Sequence, residues 1–202
     1  MGYDMRTIER PAVDETKAAE LKAEADRLWE EVKVFGPRSP ESKAAFEAWD
    51  KANDAYEAVA HPGYFRLNNR GMYVYTDVMV EVGMAHQTTS AIAHDEWPKY
   101  PDEEGEQEMA AYEAILTPLL SRHGDDPTPT IPTHKFGSND GWIVTPEEIR
   151  AALDAYEKFQ NDPGRDLSAL SEQTVQIIAT GYWGQWIAYL QRAAEHGGFA
   201  VN

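Results

Sequence analysis

The chain has 202 residues, 42% of them apolar, and a formal net charge of −17 from 35 acidic and 18 basic residues. That length and apolar share provide a core without covalent staples and argue against disorder throughout. The absence of cysteine excludes disulfides, thiolate zinc sites and thiol nucleophiles, and the acidic balance argues against docking on phosphate backbones.

Residues 3–9 roughly alternate and predict a strand, which Pro11 ends. Asp14 is a helix cap. Ala18, Leu21, Ala25, Leu28 and Val32 then step by three and four, a heptad seam. Phe35-Gly36-Pro37 breaks that helix, and Ser39-Pro40-Glu41 restarts one with N-cap, N1 and first-turn residues in order. Ala45, Trp49, Ala52, Tyr56 and Val59 form a second seam, closed by His61-Pro62-Gly63. The pair predicts an αα-hairpin over residues 14–60.

Tyr64–Asn68 reads as a short strand. Met72, Tyr75, Val78, Met79 and Val82 make one helical face, with Gly83 just past its end. Residues 88–97 predict a short helix before Pro98 and Pro101. An acidic run from Asp102 to Glu108 leads into a helix with Met109, Tyr112, Leu116 and Leu119 or Leu120 inside, which Pro118 should kink or end early. Residues 124–141 are the longest irregular stretch.

Trp142–Val144 is a strand tip. Thr145-Pro146-Glu147-Glu148 is a capping box with Pro at N1, and Ile149, Leu153, Tyr156 and Phe159 supply the face of the helix it opens. A broad stripe from Val175 to Ala194 predicts one long core helix. Gly181 and Gly184 within it would admit a neighbouring backbone, and Gly197-Gly198 would stop it. Phe199–Val201 would return as an edge strand. The fold class is therefore α+β, mainly α: one domain, with two or three short strands under the carboxy-terminal helix and the αα-hairpin as a subdomain.

Chemical signatures are sparse. None of the six histidines has tight zinc spacing, and no phosphate loop or nucleophile elbow is present. Residues 136–147 match an EF-hand loop in part, but Phe136 stands where the first Asp ligand belongs. No metal and no cofactor is expected. Arg66 and Asn68 lie beside Tyr64 and Phe65, and with His134, Asp140 and Trp142 they make a candidate pocket for a small anion or nucleotide. Like charges at i,i+4, Glu20/Glu24 and Asp50/Asp54, together with Glu103 and Glu104, mark candidate partner-binding acids, while Glu47/Lys51 is a favourable pair.

The run Trp183-x-x-Trp186-Ile-x-Tyr-Leu-x-x-Ala-Ala-Glu-His-Gly-Gly-Phe199-x-Val201 resembles the end of small uncharacterised proteins of actinobacteria and their phages. The opening Met1-Gly-Tyr-Asp-Met, Tyr64-Phe-Arg-Leu-Asn68, Gly71-Met72 and Gly83-Met84 extend the resemblance to about half the chain. It implies a bacterial or phage setting and transfers no catalytic residue.

The expectation is a cytoplasmic, non-enzymatic acidic module that binds a protein with a basic surface, such as an immunity-type or phage counter-defence inhibitor of a host protein. The amino end shows no apolar leader segment, and no run reaches the ~18 apolar residues of a membrane span. The alternatives are a small-molecule binder or enzyme with a pocket near Arg66, and a structural phage or assembly component.

Overall fold

A computed structural model describes residues 2–35, 40–89, 92–102, 105–164 and 166–202. The Gly36-Pro37 break, the Ser39 cap, and Glu103 and Glu104 lie outside them. The architecture is α+β and mainly α. In chain order the elements are β1 (Gly2–Thr7), α1 (Glu15–Val34), α2 (Pro40–Ala60), β2 (Tyr64–Asn68), α3 (Asn69–Glu81), β3 (Ala85–His86), α4 (Glu106–Leu120), β4 (Ile131–Pro132), β5 (Trp142–Val144), α5 (Pro146–Asn161), α6 (Glu172–Ile178), α7 (Gly181–Glu195) and β6 (Phe199–Val201). They form two compact units, one of residues 1–10 with 63–202 and one of residues 11–62.

The larger unit is built on an antiparallel sheet of order β2-β1-β6-β5. Register places Phe65, Met5, Val201 and Trp142 in one rank across it. All four are buried, while Arg6 and Arg66 point outward, the period-two alternation of a sheet covered on one face. The cover is aromatic. Trp186 packs on Phe65 at 5.2 Å between ring centroids, and Tyr189 on Phe199 at 5.5 Å. Trp183 reaches α5, its indole N–H donating to the Tyr156 hydroxyl at 2.9 Å.

Local signals hold at several element ends. Asp14 caps α1 by accepting from the Lys17 N–H, and Thr145 and Glu148 complete the capping box of α5; Asn68, expected in the anion pocket, instead caps α3 by accepting from the Gly71 N–H. Pro118 lies in the last turn of α4, which stops at Leu120.

Five expectations change. The sheet has four strands, and β6 lies inside it between β1 and β5 rather than at its edge. The stripe from Val175 to Ala194 is two helices, because the Thr180 hydroxyl donates to the Ile177 carbonyl and accepts from the Trp183 N–H, ending α6 and capping α7. Gly181 and Gly184 admit no neighbour: a Cβ at either would meet nothing within 4 Å. Between residues 92 and 97 there is only a 3₁₀ turn, His94–Glu96. The stretch 124–141 is not all loop. Ile131 pairs in parallel with Ala85, and a 3₁₀ turn, Thr133–Phe136, follows. Its residues are buried because β4 draws them inward against β3.

In the smaller unit, α1 and α2 pack as the hairpin. Ala18 and Ala25 are buried, and Leu21, Leu28 and Val32 half-buried, as the seam requires. No residue of α2 is fully buried.

Candidate functional site

Two places gather chemistry. The first is a buried ion cluster where the end of α4, the 3₁₀ turn, β5 and the start of α5 meet. Lys135 is wholly buried, with Nζ 2.8 Å from both Glu148 carboxylate oxygens, 2.7 Å from the Ile143 carbonyl and 3.2 Å from that of Ser121. Burial pulls its pKa below the usual lysine range, and the Glu148 carboxylate opposes that shift. Glu148 also accepts from the Thr145 N–H at 2.8 Å and faces His123 Nδ1 at 2.7 Å. The other His123 nitrogen faces the Thr128 carbonyl at 2.6 Å. Three ammonium protons are thus spent on four acceptors, and the carboxylate is saturated. The arrangement ties four segments together and leaves no free base or nucleophile at Lys135 or Glu148.

Two more histidines border it. His134 is buried, stands edge-on to Trp142 at 4.8 Å, and lies with Nδ1 2.9 Å from the Thr88 hydroxyl. That hydroxyl also accepts from the His134 main-chain N–H. Burial, then the nearby Lys135 charge, pushes the His134 pKa down to about 4. His86 lies 5.2 Å from the His123 ring, and burial lowers its pKa as well. A polar cleft of about 620 Å³ opens beside them, lined in part by Gln87, Thr88, Thr89, Arg122, His123 and Asp126. Arg122 pairs there with Glu96 at 2.6 Å.

The second place is the hairpin. Trp29 of α1 packs on Trp49 of α2 at 4.8 Å, and Phe46 on Trp49 at 5.2 Å. A groove of about 170 Å³ continues from them, walled by Lys22, Ala25, Asp26, Asn53 and Tyr56. Phe46 remains 47% exposed and Trp29 38%, and Val34 near the end of α1 is 80% exposed. These large apolar groups face water on the helix pair that has the least buried core.

The residues expected to share a pocket do not converge. Arg66 and Asn68 sit on β2 at one edge of the sheet and Trp142 on β5 at the other. Two strands separate those edges, roughly 14 Å at the usual strand spacing. Arg66 lies 3.6 Å from Asp4 and gives its carbonyl to the Tyr182 hydroxyl, and Asn68 is spent as a cap. Only His134 and Trp142 touch. Asp140 accepts from the Ser138 hydroxyl, which in turn accepts from the Trp142 indole N–H.

Of the partner-binding acids, Glu20 and Asp50 are exposed, but Glu24 is paired with Arg27 at 2.7 Å, and Asp54 is half-buried. Further pairs, Lys22–Asp26, Lys33–Glu30 and Lys43–Glu47, interleave the charge, and Glu47 takes Lys43 rather than Lys51. The hairpin surface is therefore mixed in charge and aromatic rather than simply acidic. Among the described residues no group of histidines and carboxylates is placed to hold a metal ion, and no helix is long and apolar enough to cross a membrane.

Sequence reasoning missed Lys135, Glu148 and His123 as a group, because they are brought together only by the fold. It also missed Trp29 and Phe46, each one residue off a seam; large aromatics beside two adjacent seams were the available signal. No family model, no curated protein and no solved structure matches the chain.

Proposed function

We propose that the protein is a non-enzymatic protein-binding module that acts through its αα-hairpin. The observation that carries this is the exposed pair Trp29 and Phe46, packed on half-buried Trp49 beside an open groove. Aromatic groups of this kind anchor interfaces, since they bury large area at small entropic cost. The saturated Lys135–Glu148 pair supports the non-enzymatic half of the reading, because its groups are committed to one another. Within the bacterial or phage setting that the resemblance implies, an inhibitor of a host protein, of immunity or counter-defence type, is one form such a module takes.

The test is affinity capture from an actinobacterial lysate with the wild-type chain and with Phe46→Ser. A stoichiometric protein held by the wild type and lost by the variant supports the reading. Equal capture by both, or none by either, overturns it.

The cleft beside His123 favours a second reading, a small polar ligand held by Arg122 and the Thr89 hydroxyl, with Thr88 and His123 in its wall. Thermal shift with nucleotides and divalent metals decides this one. Stabilisation that Arg122→Ala removes would support it, and no shift would end it.

A further inference from the structure

We infer that the groove between α1 and α2 receives an amphipathic α-helix of the partner protein, with basic residues along the flank that meets α2. This rests on the hairpin reading above and names the chemistry of its partner.

Geometry comes first. Two antiparallel helices with apolar seams leave a long furrow on each side of their contact, and a third helix fills such a furrow by ridge-into-groove packing. Here one furrow is lined along its length: Lys22 and Tyr56 at one end, Asp26 and Asn53 in the middle, Trp29 and Trp49 at the other. The cavity of about 170 Å³ suits a single bulky side chain. Phe46 and Trp29 extend it as exposed apolar wall. An incoming helix thus gains one deep anchor and a strip of aromatic contact, spaced along the hairpin axis as successive helical turns are.

Charge then selects the occupant. One turn on from Phe46 and Asn53, on the helix face beside the furrow, α2 carries exposed Asp50 and Glu57, the latter 3.7 Å from His61 Nε2. Asp50 is exposed and takes part in no ion pair among the described residues. The opposite wall answers its own charge, Asp26 being paired with Lys22 at 3.0 Å. A helix with Lys or Arg on the α2 side places cations against Asp50 and Glu57. A second copy of this chain, at −17, brings further acid to the same rim and is repelled.

The experiment uses the full chain and two synthetic helices that share a leucine face. One carries lysines along its flanks and the other glutamates. Tryptophan emission is titrated at low and high salt. The lysine helix binds, and salt weakens it. The glutamate helix does not bind. Asp50→Lys weakens the lysine helix about tenfold, or about 1.4 kcal/mol, and admits the glutamate helix. Circular dichroism shows that this exposed variant is folded. Phe46→Ser weakens whichever helix binds.

Equal binding of both helices, binding of neither, or indifference to Asp50→Lys overturns the inference. A dimer by light scattering that Phe46→Ser dissolves overturns it in favour of a second copy. If a captured protein is lost with Phe46→Ser but kept with Asp50→Lys, the hairpin reading stands and this inference fails.

Discussion

The ammonium of Lys135 stands 2.8 Å from both carboxylate oxygens of Glu148, with neither group open to solvent. A buried pair of this kind is costly to break from one side, because the remaining charge has no water to turn to. Lys135→Met is expected to lower unfolding stability by about 3–5 kcal/mol. Adding Glu148→Gln removes the stranded charge while keeping an oxygen for Thr145, and should restore part of the loss. Urea unfolding of the two variants checks this, and a double variant no better than the single would refute it.

Acid should weaken the same region. The His134 pKa is about 4 in the folded chain, against an ordinary value of 6.5. The neutral ring is therefore the folded form. Its contribution is complete above about pH 6.5, declines as pH falls toward 4, and is lost below that. The full span is about 3 kcal/mol. His86, also lowered by burial, acts in the same direction. Urea midpoints measured between pH 7 and pH 4 should fall more steeply in the wild type than in His134→Gln. Parallel slopes would show that His134 does not titrate with unfolding.

Two glycines should respond in opposite senses to alanine. Gly198 has a φ of +85°, and a Cβ there would lie 2.2 Å from the Val144 carbonyl oxygen of the neighbouring strand. Gly198→Ala should destabilise by at least about 2 kcal/mol, from the left-handed backbone and the clash together. Gly184 lies inside α7 with open space around it. Gly184→Ala should stabilise by about 0.5–1 kcal/mol through helix propensity. Thermal melts of the two variants, shifted down and up, are the check.

Thr180→Ala should cost about 1 kcal/mol, the usual worth of an N-cap. The hydroxyl both ends α6 and starts α7, so its loss frees the Trp183 N–H. Thr180→Ser keeps the bond and should restore most of the stability. A Ser variant as weak as the Ala variant would place the effect in the methyl group instead.

Helix caps were legible in the residues themselves. Asp14 and the Thr145–Glu148 box act within a single turn, so their partners are fixed by short sequence distance. The strand Tyr64–Asn68 was legible for the same reason, its alternation being local. Thr180 was hidden inside an apolar stripe: the residues around it look the same whether the chain is one helix or two. Lys135 was hidden more deeply. A lysine in a proline-rich run reads as solvated, and its burial depends on Ser121, Ile143 and Glu148 all closing over it.

By itself, then, the amino-acid sequence determined most of the helices, the caps at Asp14 and Thr145, the seams of the hairpin and the absence of thiol chemistry. All of these follow from spacings of a few residues or from composition. The tertiary structure decided three further things. It placed β6 inside the sheet, it parted Arg66 from Trp142, and it left Trp29 and Phe46 facing water. Each is a matter of which distant segments meet, and strand order and burial are set by the packing of the whole chain rather than by any one stretch of it.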